Sequence, residues 1–253
     1  MPRRIGTYQE QPNKIFNQGL FDISSDAKHR IGTVRPLDDG RIFAYAKAGG
    51  TELAAGVLTQ QIVADSALQN IAVTAAAAIG DKELSVTFTA TAGLAANDLA
   101  NGWLHVNDEA GEGHLYKIRG NTAFAVGVAT AGTVYLYDSL RVALTKDTSE
   151  ITATPSVQWG TVICPTTLTA VPAGVTSRVV TANYYYWNQV KGVCCVLTDG
   201  TIAIGEEVAP SNGTAGSVEA MVHATTLDTN VGSCITVNAS TEYSLINLNI
   251  PGY

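Results

Sequence analysis

The chain has 253 residues, of which 46% are hydrophobic and only 15% are charged. This composition supplies enough apolar surface for a core, so it excludes a disordered chain and allows one large all-β domain or two small domains. The net charge of −7 at pH 7 argues against a general nucleic-acid-binding protein, because such binding needs a basic face that displaces counterions. A sparsely charged surface also suggests that partners cover much of the exterior.

The first thirty residues are polar, contain Pro2 and Pro12, and have no sustained hydrophobic period. Residues 1–50 hold eight Lys/Arg and five Asp/Glu, a net charge of +3, which leaves −10 on the remaining residues. We predict an extended arm over residues 1–30 that becomes ordered on a partner and lies on an acidic surface, although chance variation explains the charge difference equally well. Two basic and four apolar residues are its candidate contacts: Arg3, Arg4, Ile15, Phe16, Leu20 and Phe21.

From Ile31 onwards the pattern predicts strands. Residues 31–37 and 41–48 flank Asp38-Asp39-Gly40, which is typical of a β-hairpin turn. Residues 53–78 are rich in alanine, as in helices, but β-branched residues at 71–74 and interrupting glycines favour extended structure with at most one or two helical turns. Residues 84–89 alternate strictly between apolar and polar side chains, which predicts a strand.

A second hairpin is predicted from residues 103–106 and 114–118, joined by the loop 107–113. Its tip could gather oxygen and imidazole ligands for a divalent cation from His105, Asp108, Glu109, Glu112 and His114. The loop lacks the alternating ligand pattern of a calcium site, and solvated acids at an exposed tip explain it as well. We therefore predict no metal site and no cofactor.

A long aromatic and apolar run at residues 181–198 precedes Asp199-Gly200, and the β-branched run 201–205 follows, which predicts a third hairpin. On a strand, Tyr184 and Tyr186 point one way and Tyr185 and Trp187 the other. One pair is expected in the core and the other at a protein interface, so Tyr185 and Trp187 are candidates for an oligomer interface. Further strands are predicted at residues 124–128, 133–137, 142–144, 157–163, 177–180, 234–237 and 243–250.

Short strands separated by turn residues predict an all-β protein, either an antiparallel sandwich or a barrel-like body, with an extended N-terminal arm and little helix. The β-rich body covers residues 31–253, either as one unit or as two subdomains at about 31–145 and 146–253. The four cysteines are expected to be small buried side chains in a reducing cytoplasm, with adjacent Cys194 and Cys195 on opposite faces of a strand. An apolar leader and a membrane-length run are both absent from the sequence, so synthesis in the cytoplasm and no membrane partner are expected.

Catalysis is not expected from these residues. The sequence contains neither the G-x-S-x-G elbow that carries a nucleophilic serine nor a G-x-x-x-x-G-K-[ST] phosphate loop. Its acidic residues are too numerous and too ordinary in context to nominate the paired carboxylates of a glycosidase. We predict that the protein is not an enzyme.

In order-preserving segments over roughly residues 30–250, the sequence resembles a group of tailed-bacteriophage virion proteins. The segments are AAAAIG at 75–80, AANDLANGWL at 95–104, NDEAGEGH at 107–114, VTANYYYW at 180–187, LTDGT at 197–201, GEEV at 205–208, TAGSVEA at 214–220 and STEYSLI at 240–246.

This resemblance implies a capsid decoration, or cement, protein on the outer surface of the phage head. Such proteins clamp neighbouring major capsid subunits, commonly as homotrimers at three-fold positions. The major capsid protein and further copies of this chain are then the expected partners, without direct contact to nucleic acid. The alternative is an adhesion or receptor-binding module of a tail or head fibre, although the repeats and heptads usual in fibres are absent from the sequence.

Overall fold

The structure is a computed structural model that describes residues 16–222 and 229–253. Over these residues the regular secondary structure is antiparallel β-strand apart from a single short 3-10 turn at Ser66–Leu68, which confirms the all-β, barrel-like prediction. The strands are β1 Val34–Pro36, β2 Ile42–Lys47, β3 Leu58–Gln60, β4 Ile71–Ala72, β5 Glu83–Phe88, β6 Trp103–Asp108, β7 Leu115–Asn121, β8 Thr130–Leu136, β9 Glu150–Thr154, β10 Val162–Ile163, β11 Pro172–Thr176, β12 Tyr185–Leu197, β13 Glu207–Pro210, β14 Val218–Ala220, β15 Gly232–Cys234 and β16 Tyr243–Asn249.

The chain divides into two compact units, and one is inserted into the other. Unit 1 comprises residues 1–62 and 157–253, and unit 2 comprises residues 63–156. The sequence predicts either one β-rich body over residues 31–253 or two consecutive subdomains divided at about residue 145, and neither arrangement includes an insertion. The insertion follows from strand pairing: β10 returns antiparallel beside β3, with Val162 opposite Gln60, so the chain re-enters unit 1 next to the point where it left.

Unit 2 is a six-stranded, nearly closed barrel with the strand order β4-β9-β6-β7-β8-β5. The amide of Thr74, just after β4, donates a hydrogen bond to the carbonyl of Ser85 in β5 (3.0 Å), which brings the two ends of the sheet together. Alternate residues of β5 point inwards and are fully buried, as the sequence pattern predicted: Leu84, Val86 and Phe88. The outward positions of the strands are left for surface contacts.

Unit 1 contains a ten-stranded antiparallel sheet that forms a half-barrel. Its longest strand, β12, pairs with β2 and β11 through its first half and with β16 through its second half. The register shifts between Gln189 and Lys191, and Gly192 follows with φ +85°. A Cβ at Gly192 would lie 2.9 Å from the Cα of Arg41, so glycine is required where β12 changes partners.

Of the three predicted hairpins, two are present. Asp38-Asp39-Gly40 joins β1 to β2, with Gly40 at φ +86°, and the loop 109–114 joins β6 to β7. The prediction of a hairpin at Asp199-Gly200 is wrong, because residues 201–205 form no strand and β12 pairs instead with β16. The Asp199 carboxylate accepts a hydrogen bond from the Ser211 hydroxyl (2.7 Å), which ties this turn to the loop after β13.

Replacing Ser211 by alanine is expected to raise the pKa of Asp199, because the Ser211 hydrogen bond is the main cause that lowers it. A carboxyl whose pKa is lowered by folding contributes stability above its unfolded pKa, and that contribution disappears as the pH falls through the folded pKa. The pH-dependent part of the stability loss in Ser211→Ala should therefore be present at neutral pH and shrink in acid. Carboxyl NMR titration combined with urea unfolding measures both effects. An unchanged Asp199 titration would contradict the assignment.

The remaining predictions agree with the structure in part. Residues 53–78 are extended apart from the one 3-10 turn, as expected, and β8, β15 and β16 overlap their predicted ranges. The strands predicted at 124–128, 142–144 and 177–180 are reduced to isolated bridges, and β9, β11, β13 and β14 were missed. Strand β11 begins at Pro172 and contains Gly174, two residue types that signal a break in a strand. Within the described residues, the helical structure is too short to cross a membrane.

Candidate interaction surface

The segment 16–24 lies against unit 1 of its own chain. The Phe16 ring packs edge-on against Trp187, with 5.3 Å between ring centroids, and Leu20 joins the same apolar cluster. Farther along, Ser24 and Tyr185 exchange two backbone hydrogen bonds of 3.0 and 2.7 Å. This part of the predicted arm is therefore held by intramolecular contacts.

Gln18 is the polar centre of this attachment and is 4% exposed. Its side-chain amide donates to the carbonyls of Asp22 (2.8 Å) and Tyr185 (3.1 Å), and its Oε1 accepts from the Tyr45 hydroxyl (2.7 Å). Its backbone carbonyl accepts from Trp187 Nε1 (3.2 Å) and from the Arg35 guanidinium (3.0 Å). Because buried hydrogen bonds fix both the side chain and the backbone of Gln18, the segment has a defined path.

The six predicted capsid-contact residues fall into three groups. Phe16 and Leu20 are half-buried on their own cluster, whereas Phe21 is 48% exposed and is available to a partner. Arg3, Arg4 and Ile15 lie outside the described residues. A capsid contact for this segment stays a prediction, carried among the described residues mainly by Phe21.

The aromatic run 184–187 divides between two clusters, as its alternation predicted. Trp187 and Tyr185 join the cluster of Phe43 and Tyr45, and Tyr186 and Tyr184 join a second cluster on the other face. Trp187 is only 1% exposed, so it is a core residue and does not present a surface to another copy. Tyr185 is half-buried and stacked on Tyr45, with 6.0 Å between ring centroids, and its place in an interface stays a prediction.

A different part of β12 offers an exposed apolar surface, which we call the outer sheet face. It consists of outward side chains on the β12–β16 pair, with Cys195 opposite Leu245 and Leu197 opposite Tyr243, and with Val193 one pleat further along β12. Val193 is 48% exposed, Tyr243 45% and Leu245 39%. None of these five side chains is charged, and contiguous apolar surface of this kind marks interaction sites.

A groove of about 510 Å³ borders the outer sheet face. Val193, Cys195 and Tyr243 line it, together with Arg41 and Gly56 among others. A Cβ at Gly56 would lie 2.6 Å from the Tyr243 ring. The ring can therefore pack against the backbone of residue 56 only because glycine has no side chain. The groove places one guanidinium, that of Arg41, beside an otherwise uncharged surface.

The outer sheet face also carries the one exposed cysteine among the four. Cys164, Cys194 and Cys234 are buried, and burial raises the pKa of Cys164 to about 11 and that of Cys194 to about 12. Cys195 is exposed, so the prediction that all four cysteines are buried is wrong for this residue. The opposite orientation of Cys194 and Cys195 was correctly predicted, and that alternation was the signal that one of them would face outwards.

The described ranges contain no cluster of three or more His, Cys, Asp or Glu side chains that could hold a metal ion. At the β6–β7 loop, where the sequence offers candidate metal ligands, His114 Nδ1 lies 2.9 Å from the carbonyl of Gly111 and contacts its own turn. The outer sheet face is the candidate interaction surface of unit 1.

Comparisons with known proteins found no match: neither a family model, nor a curated protein, nor a solved structure resembles the chain significantly.

Proposed function

We propose that the protein is a structural component of a tailed-bacteriophage virion that binds the outside of the head and clamps neighbouring major capsid subunits. The observation that carries the proposal is the outer sheet face, an uncharged apolar surface on paired strands of a rigid sheet. The resemblance of the sequence to phage virion proteins implies that the capsid is its partner.

Lattice binding of this kind requires complementary surfaces and no chemistry. Each copy contributes a modest apolar contact, and repetition by symmetry raises the effective concentration of every further contact. The hydrogen bonds of Gln18 support this role, because they fix residues 16–24 on unit 1 while the Phe21 side chain stays exposed. A homotrimer at three-fold positions is the assembly that the resemblance implies.

The Cys195 thiol makes the outer sheet face directly testable. In the free protein, a maleimide should modify Cys195 rapidly, whereas the three buried cysteines should react slowly. On phage heads saturated with the protein, Cys195 should become protected. The variant Cys195→Ser provides the background labelling, and a thiol that stays equally reactive on the heads would contradict docking through this face.

A charge at the centre of the face should prevent docking, because an unpaired carboxylate would be buried against the capsid. Leu245→Asp is expected to reduce occupancy on heads assembled without the protein by about tenfold or more. Val126→Asp, which alters an exposed side chain of unit 2 (66% exposed), is the matched control. Equal occupancy for Leu245→Asp and the wild-type chain would refute the proposal, and density on the tail would favour the adhesion alternative.

A further inference from the structure

The outer surface of unit 2 carries a second distinctive feature, which we call the cationic face. It consists of outward side chains on β6, β7 and β8: Trp103, His105, Lys117, Arg119 and Tyr135. Trp103 lies opposite Lys117 on the neighbouring strand, and the Lys117 ammonium is 3.8 Å from the centre of the indole ring. The Arg119 guanidinium is 5.5 Å from the centre of the Tyr135 ring. Cations and aromatic rings therefore alternate across three strands.

The distribution of charge in unit 2 makes this face unusual. Residues 63–156 contain five Lys/Arg and ten Asp/Glu, a net charge of −5. Two of the five cations, Lys117 and Arg119, belong to the cationic face, and two more border it through hydrogen bonds: Arg141 donates to the carbonyl of Leu115 (2.9 Å) and Lys82 to that of Tyr137 (3.1 Å). This acidic unit thus presents two of its five cations on one outward face.

Lys117 lies over the Trp103 ring and has no carboxylate partner among the described residues. Its ammonium is half-buried, and burial lowers its pKa. Among the described residues, no carboxylate lies within 4.0 Å of it; the ion pairs join Arg41 to Asp39 and Lys146 to Asp147. A partly desolvated cation without a carboxylate gains most from an anionic ligand.

We propose that the cationic face of unit 2 binds an acidic polysaccharide. The indole of Trp103, which is 42% exposed, would pack on the apolar face of a sugar ring, and Lys117 and Arg119 would pair with its carboxylates. His105 and Thr154, which flank Trp103 on β6 and β9, offer polar groups to sugar hydroxyls. This binding is independent of the role of unit 1 on the head.

A polysaccharide fits this face better than a nucleic acid does. Affinity for nucleic acids grows with the number of phosphates neutralised, and this face supplies few cations on a unit of net charge −5. Glu83 also lies opposite Tyr135, at the edge of the face, where it would repel a dense polyphosphate. A polymer with widely spaced carboxylates and many hydroxyls meets less repulsion and uses the exposed indole.

The test is titration of the full chain with oligogalacturonate and with hyaluronate oligosaccharides, followed by calorimetry and tryptophan fluorescence. At least one of the two oligosaccharides should bind, and its affinity should fall as salt is added. Trp103→Ala should weaken binding by about tenfold or more, and Lys117→Ala by about fivefold. Lys146→Ala removes an equal charge at a position paired with Asp147 (3.3 Å) and should leave affinity unchanged.

Several results would overturn the proposal. They are absence of binding to both acidic oligosaccharides, equal binding of neutral maltoheptaose, tighter binding of an oligothymidylate, and an equal loss of affinity in Lys146→Ala and Lys117→Ala. Melting temperatures establish that each variant is folded. Lys117→Ala leaves the core untouched, so it keeps the test decisive if Trp103→Ala is unstable.

Discussion

Replacing Trp187 by alanine is expected to lower the free energy of unfolding of unit 1 by about 3–5 kcal/mol. The indole is 1% exposed, and its ring centroid lies 5.0 Å from that of Tyr45 and 5.3 Å from that of Phe16. The substitution also removes the Nε1 hydrogen bond to the Gln18 carbonyl, which then keeps the hydrogen bond from Arg35. Urea unfolding measures the loss, and amide hydrogen exchange should accelerate in residues 16–24.

The control for this substitution is Trp103→Ala, which removes the same side chain from an exposed position of unit 2 and should cost about 1 kcal/mol or less. Native mass spectrometry separates the core role of Trp187 from the interface role suggested by the sequence. A Trp187→Ala variant of unchanged stability but lower oligomer mass would contradict the core assignment.

Replacing Phe88 by alanine is expected to destabilise unit 2 to a similar extent, by about 3–5 kcal/mol. Phe88 is fully buried in the barrel, 4.9 Å from Phe124 between ring centroids, and it ends β5, whose six residues all pair with β8. Its removal leaves a cavity that the nearly closed barrel can fill only by distorting its strands. Hydrogen exchange read by mass spectrometry should show faster exchange concentrated in residues 63–156.

Val126→Ala is the matched control, because it shortens an apolar side chain of the same unit that is 66% exposed, and it should change stability by less than about 0.5 kcal/mol. Acceleration that extends equally through residues 29–62 would argue against two separate units. An unchanged unfolding midpoint for Phe88→Ala would argue against its place in the barrel core.

The sequence was sufficient for the fold class and for many strands. Alternation at period two identified β5, the β6–β7 hairpin and β16, because each has one face against a core and one face outwards. The same alternation assigned Tyr184–Trp187 to two faces, as the structure has them. These features depend on local side-chain order, which is present in the sequence itself.

What the sequence could not provide is the pairing of distant strands. Asp199-Gly200 has the local chemistry of a hairpin turn, but β12 pairs with β16, which begins more than forty residues later, at Tyr243. Such pairing depends on which distant strand covers an apolar edge, and a turn signal does not contain that information. The insertion of unit 2 was missed for the same reason, because composition does not change at Ile62 or Val157.

The candidate surfaces were visible in the sequence only in part. Cys195 and Trp103 stand at outward positions of alternating strands, but their exposure depends on whether a second layer covers them. The sequence predicts that Phe16 contacts another protein, because an apolar residue in a polar segment indicates a binding partner but does not identify it. Here that partner is the same chain, through Trp187 and Gln18.

The nesting of one unit within the other has a consequence for the order of folding. To pair Gln60 with Val162, unit 1 must close a loop of roughly a hundred residues. The pairing of Ile71 with Ile151 inside unit 2 already joins the two ends of that loop, so a folded barrel leaves only about twenty loose residues to close. Because closure entropy varies with the logarithm of length, this lowers the cost by about 1.4 kcal/mol. The inserted barrel thus reduces the entropic cost of closing unit 1, which favours folding of unit 2 before unit 1.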